Sequence, residues 1–441
     1  MELNLLKETL RKAGVVGAGG AGFPSYAKLS DKADTVILNC AECEPLLKVH
    51  RQVLEEYTYE ILSALNTVIE ATGAKQAIIA IKAHYKSTLK AIEAEISEFP
   101  HISVHTLESV YPAGDEIILI KEVTGKTVNP GSLPLSVGVT VCNVESMLNV
   151  YRALKGHPVT HKYVTVAGEV KTPITLCVPI GTKISQLITA AGGVTVEDAE
   201  YISGGPMMGK LINPSEVVTK TTNAIIVLPS DHTVIMGKKQ NFNINLRRTM
   251  SVCCQCRSCT DLCSRHVIGY PVEPHAVMRF YSNGGRGDAS VLAGAMFCSG
   301  CGLCETYSCP QGLSPRAIID EMKKQARANG VKPPQNVKAE LNVKDADLKK
   351  VSVQRLTARL GLTRYDVAAP IVEEFTTRTV KIPMLQNIGA ACVATVSEGD
   401  TVKCGDVIGK IDDGALGVYV HASIDGKVTT VNEKYVKITR S

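Results

Sequence analysis

At 441 residues, with 45% apolar and 21% charged residues, the chain exceeds one ordinary core and has the composition of a globular protein of about three or four units. No apolar run approaches the roughly eighteen residues that cross a bilayer, and the start MELNLLKETLRKAG lacks the basic-then-apolar layout of a signal peptide. Membrane insertion is therefore not expected, and a cytoplasmic location is. The net charge of +5 carries no long basic block, and with no Trp and six Phe there is little for bases to stack on, which argues against nucleic-acid binding.

In chain order, an amphipathic helix precedes the glycine-rich stretch AGVVGAGGAGFP, and an apolar run from Thr35 to Leu38 ending at Asn39 reads as a strand. Residues 52–70 and 86–98 have helical periodicity, and Ala77 to Ala83 between them reads as a buried strand, so an α/β domain runs to about residue 155. After a polar break at Gly156 to Pro158, YVTVAGEV and the glycine-closed helix KISQLITAAGG suggest a small β-grasp domain over 160–230. A cysteine-rich segment fills 245–328, with a helix expected over Pro315 to Ala328. Pro333 and Pro334 open a polar linker, and a short helix is expected near Lys344 to Leu360. Closely spaced turns and valines over 378–441 predict an all-β sandwich or flattened barrel.

Nine of the fifteen cysteines lie between Cys253 and Cys309, a clustering that favours metal over a disulfide framework in so large a chain. Cys253, Cys256, Cys259 and Cys263 are spaced C-x2-C-x2-C-x3-C, and Cys298, Cys301, Cys304 and Cys309 are spaced C-x2-C-x2-C-x4-C before Pro310. Three thiolates at that spacing can bind three irons of one cubane, and in two-cluster ferredoxins the fourth comes from the other run. The expected sets are thus Cys253, Cys256, Cys259 with Cys309, and Cys298, Cys301, Cys304 with Cys263. Two structural zinc sites are the alternative, yet a zinc ribbon has no use for the third cysteine of each run. Ser264 stands where a proline is usual, and the second run is one residue longer before its last cysteine.

Glycines at 14, 17, 19, 20 and 22 would let backbone amides approach a phosphate, but the stretch precedes its strand, unlike a Rossmann fingerprint. GAGGAGFPSYAKL, LNCAECEP, YPAGDE and VCNVESMLNV together resemble, in the same order, the flavin-carrying subunit of respiratory complex I and the RnfC subunit of the Rnf complex. The resemblance implies Gly17, Gly19, Gly20, Gly22 and Lys28 around the phosphate and ribityl chain of FMN. It implies Asn39, Glu42, Asp115, Glu116 and Asn143 at the flavin, and Phe23, Glu44 and Tyr111 near the nicotinamide nucleotide. Ala41 and Cys142 depart from that family, each removing a polar contact.

The later segments fit the same relatives: a soluble-ligand-binding β-grasp (SLBB) module serving as a spacer, and a barrel-sandwich hybrid whose Asp412 to Ala415 turn has no lysine for lipoylation. The implied fold class is multidomain α/β: a flavin-type α/β domain, an SLBB domain, a ferredoxin-like dicluster domain and a C-terminal barrel-sandwich hybrid. RnfC carries its barrel-sandwich segment first, whereas here it comes last, and this order together with GGPMMGKL and HASIDGKV resembles the PduS-type cobalamin reductase family of bacterial microcompartments. That resemblance implies electron flow from NADH through FMN and two [4Fe-4S] clusters to cobalamin as substrate, with no protein acid or base in the hydride step. It also implies an adenosyltransferase, enzyme or shell partner within a microcompartment. Two rivals stand beside it: an RnfC-like relay between protein partners that oxidises no NADH, and a zinc-bound scaffold.

Overall fold

The computed structural model describes residues 1–341 and 346–440. Leu3–Lys12 forms the opening helix because Leu6 and Leu10, one turn apart, are both fully buried, while Arg11 and Lys12 suit the negative end of its dipole. Four parallel strands follow in the spatial order Ile102–Leu107, Gln76–Lys82, Thr35–Cys40, Val139–Asn143. Thr35–Cys40, Gln76–Lys82 and Val139–Asn143 are mostly apolar and buried, as suits a sheet covered on both faces, while Ile102–Leu107 is a partly exposed edge. The order reverses at Thr35–Cys40, the place where open α/β sheets leave a crevice beyond their carboxyl ends. Asn39 and Asn143 are register partners at that crevice.

The helical stretch expected over 52–70 is two helices, Val49–Glu56 and Thr58–Thr72, parted at Tyr57, whose φ of -120° and ψ of 42° break the helix. The β-grasp segment builds five strands of a six-stranded mixed sheet with His161–Gly168 parallel to Ala224–Pro229 at its centre, and the helix Ile184–Ala190 packs on it. Pro315–Ala328 is helical with proline at its first turn, where no amide partner is lost. Near the linker the helix is Val353–Arg359, shorter than the expected span, and Lys344 lies outside the described residues.

The linker also works as a strap. Val351–Ser352 pairs antiparallel with Val110–Tyr111, and Ile371–Val372 adds a parallel edge to Ile174–Pro179. The tail forms a four-stranded and a three-stranded antiparallel sheet, as its turn spacing predicts. One apolar core runs from Leu6, Leu10 and Leu38 through to Val380, Ile408 and Val436, so the C-terminal tail and the N-terminal domain bury their faces against each other. A second core joins Leu46, Tyr111, Met207, Leu303, Val351 and Leu356, where the flavin-type domain, the β-grasp module, the cysteine segment and the strap meet. Among the described residues no helix is long and apolar enough to cross a membrane.

Candidate functional site

The glycine stretch closes on itself: the Gly17 amide donates to the Phe23 carbonyl at 2.9 Å, and Val16 bridges Pro24. It is held against the helix Val144–Leu154 by Ser146, whose hydroxyl donates to the Val16 carbonyl at 3.1 Å and accepts from the Ala18 amide at 2.9 Å. Asn143 caps that helix by accepting from the Glu145 and Ser146 amides, and its amide nitrogen lies 2.9 Å from Nε2 of His50. A Cβ on Gly19 would stand 2.2 Å from that Asn143 nitrogen, whereas at Gly20 it would meet nothing within 4 Å. Gly22 has a φ of +74° and abuts Thr221 and Asn387, so the β-grasp module and the tail both wall the loop.

Between the loop and the strand ends lies a cavity of about 470 Å³, within the roughly 300–1,000 Å³ of small-molecule sites. Gly17, Gly19, Gly20, Gly22, Phe23, Lys28, Asn39, Glu116 and Asn143 all line it. Lys28 pairs with Glu116 at 3.0 Å and donates to the Val141 carbonyl at 3.3 Å, which puts a cation beside the helix start that favours an anion. Glycine backbone open at Gly20, one cation and a mostly apolar wall fit a flavin mononucleotide.

Glu42, Glu44, Tyr111 and Asp115 do not line that cavity. Glu42 is buried with a φ of +35°; one oxygen accepts from the His50 amide at 2.8 Å, while the other has no hydrogen-bond partner and lies 4.0 Å from Nε of Arg51. Glu44 accepts from the Met207 and Met208 amides at 2.9 and 2.7 Å, and burial raises its carboxyl above the usual range. Tyr111 is 3% exposed and donates to the Cys301 carbonyl at 2.6 Å. Asp115 caps the helix Glu116–Thr124, and its two carboxylate oxygens both accept from Nη2 of Arg265, at 2.8 and 2.7 Å. The partners of Glu44, Tyr111 and Asp115 lie far along the chain, in the β-grasp turn and the cysteine segment, which is why local sequence could not show them; those of Glu42, His50 and Arg51, are near in sequence.

The cysteines form two groups. Burial pushes the Cys259 thiol up to about 12, and Cys309, Cys253 and Cys256 are the neighbouring charges that add to the shift. Those four also line one shared concavity. Burial likewise raises Cys304, with Glu305 next and then Cys298, Cys301 and Cys263, while the charges raising Cys263 are Cys301 and Cys298. The last cysteine of each run thus sits with the other run's first three. Among the described residues no three such side chains converge on a single-ion site; a cubane asks instead for four thiolates around one shared space. The thiol chemistry fits two such clusters.

Beyond Ser264 as a departure from the usual proline, the sequence assigned no role to several residues at this junction. The Ser264 hydroxyl lies 4.0 Å from Sγ of Cys301, and Ser258 stands 3.4 Å from Sγ of Cys256. Arg316 donates to the Met207 carbonyl at 2.8 Å and pairs with Glu305, fixing the GGPMMG turn over the second cysteine run. The only available signal was that turn's glycines.

Residues 10–152 match the family described as Nuo51 FMN-binding domain, 163–211 the SLBB domain, 252–314 the 4Fe-4S dicluster domain, and 363–440 the RnfC barrel sandwich hybrid domain. Over 440 residues, 99% of this chain and 96% of theirs, it is 40% identical to proteins named Cobalamin reductase PduS from Salmonella typhimurium and Citrobacter freundii. The chain belongs to the PduS family. It is also 30% identical over 273 residues to a component of the Na(+)-translocating ferredoxin:NAD(+) oxidoreductase complex of Acetobacterium woodii, covering 60% of this chain and 59% of that one. An NAD+-reducing [NiFe]-hydrogenase in its air-oxidised state shares the fold at 20% identity and a TM-score of 0.51, over 82% of this chain and 66% of that chain. The PduS family architecture is therefore FMN-binding, SLBB, dicluster and barrel-sandwich in that order, as expected, and the chain is a flavin and iron–sulfur electron-transfer protein.

Proposed function

We propose that this chain passes electrons from NADH through FMN and two [4Fe-4S] clusters to a corrinoid, acting as a cobalamin reductase. The observation that carries the reading is the joining of a flavin-sized cavity and two four-thiol groups in one packed unit. The names of the relatives that match it over nearly their whole length supply the acceptor. A bound flavin takes the two electrons of a hydride together and releases them singly, and a cubane accepts one at a time. Each cobalt reduction takes one electron, so one NADH serves two of them.

On this reading Gly17, Gly19, Gly20, Gly22, Lys28, Asn39, Glu116 and Asn143 hold the FMN, and Phe23 faces the nicotinamide. Glu42, Glu44, Tyr111 and Asp115 support the site from behind. Cys253, Cys256, Cys259 and Cys309 hold one cluster; Cys298, Cys301, Cys304 and Cys263 hold the other. The protein works in the cytoplasm within a microcompartment, beside an adenosyltransferase that takes the reduced corrinoid.

One observation favours a second reading, a relay between protein partners without NADH oxidation: Glu44 and Tyr111 are engaged in packing, and Ala41 has no polar side chain. Adding NADH to anaerobically purified protein separates the two. The reductase predicts bleaching of flavin and cluster absorbance, and its return when hydroxocobalamin is added. Clusters that respond to dithionite and not to NADH would instead support the relay.

A further inference from the structure

The six residues Tyr111 to Glu116 touch both redox sites at once. Glu116 lines the flavin cavity and pairs with Lys28. The Gly114 carbonyl accepts from Asn39, another cavity residue, at 3.0 Å, and its amide donates to Sγ of Cys43 at 3.4 Å. At the other end Tyr111 donates to the Cys301 carbonyl, and Asp115 grips Arg265, two residues beyond Cys263. Both contacts fall on the group formed by Cys298, Cys301, Cys304 and Cys263. The Arg265 and Asp115 side chains are only 13% and 11% exposed, so this pair is fixed where a surface pair would fray.

The other group faces outward. Cys256 is exposed, as are its neighbours Cys254, Gln255 and Arg257 and the Pro310 that follows Cys309. In the first group Cys304 and Cys263 are buried and none of the four is exposed. We infer that the turn Tyr111 to Glu116 couples the flavin cavity to the Cys298, Cys301, Cys304, Cys263 group, and that the Cys253, Cys256, Cys259, Cys309 group is the surface terminus where electrons leave. The inference deepens the reading above, and it rests on that reading for the presence of flavin and clusters. One electron enters the inner group and one leaves the outer group per transfer, with no proton required.

Low-temperature electron paramagnetic resonance of the holoprotein, reduced with dithionite, tests the order without NADH or corrinoid. The two cluster signals are assigned with Ser258→Ala, which perturbs the group containing Cys256, and Ser264→Ala, which perturbs the group containing Cys301. A dysprosium chelate in solution is expected to speed relaxation of the Ser258-sensitive signal several-fold more than the other. Equal or stronger relaxation of the Ser264-sensitive signal overturns the order. Tyr111→Phe is expected to shift the midpoint potential of the Ser264-sensitive signal alone and to slow electron exchange between photoreduced flavin and that group; unchanged exchange and potential overturn the coupling. Failure of the protein to respond to NADH would count against the functional reading while leaving this order standing, whereas zinc in place of iron would sink both.

Discussion

Cys309 and Cys263 make the exchange of ligands between runs testable one sulfur at a time. If each run built its own cluster, Cys309→Ala would empty the second run. With Cys309 standing beside Cys253, Cys256 and Cys259, the expected loss is the cluster of the first run, leaving about four of about eight irons. Iron analysis together with the Ser264-sensitive resonance checks this, and disappearance of that resonance alone would refute the exchange. The cysteine spacing suggested this exchange by likeness to two-cluster ferredoxins, where the fourth cysteine of each run serves the other cluster. Glu44 and Tyr111 show the opposite case. Their partners, the Met207 and Met208 amides and the Cys301 carbonyl, are set by domain packing that no local pattern encodes.

Among the elements, the segment Thr219 to Asn223 clasps the tail against the glycine stretch. Lys220 is 2% exposed and donates to the carbonyls of Gly14 and Tyr419 at 2.8 and 3.0 Å. Burial pushes its ammonium down to about 7, with only a modest opposing pull from Cys392. An unfolded lysine holds its proton up to about pH 10.4, so between about pH 7 and that value the unfolded chain binds more protons and stability must rise with pH. The full effect is on the order of 5 kcal/mol at most. Comparing melting temperatures of wild type and Lys220→Met across about pH 7 to 10 isolates it from the titrating thiols: the wild-type advantage should grow with pH. Parallel curves would show that Lys220 carries no such penalty. His421 nearby is pushed down to about 3 by burial and then by Lys220, so its stabilising share is lost as pH falls from about 6.5 towards that value.

Long periodic elements of this kind were legible: the helix Pro315–Ala328 and the strand Thr35–Cys40 stand where their patterns put them. The strap was not. Val351–Ser352 and Ile371–Val372 are two residues each, too short for any period, and they become strands only because Val110–Tyr111 and Ile174–Pro179 offer open edges.

For the whole molecule, a segment that comes first in RnfC comes last here, yet the tail meets the start of the chain through a shared core and through Arg11, which donates to the Asp412 carbonyl at 2.9 Å. Chain order was readable from motifs alone; the closure of tail on glycine stretch was not, since apolar alternation in a small β domain says which face is buried and not against what. That closure sets Thr221 of the β-grasp module and Asn387 of the tail against Gly22 of the loop, while the lining of the cavity itself comes from residues between Leu10 and Val150. Whether all three redox centres occupy one chain is read from a count of iron, acid-labile sulfide, zinc and FMN per chain in anaerobically purified protein. About eight irons, an equal amount of sulfide and one FMN are expected; zinc with no iron, or iron with no flavin, would rule out this arrangement.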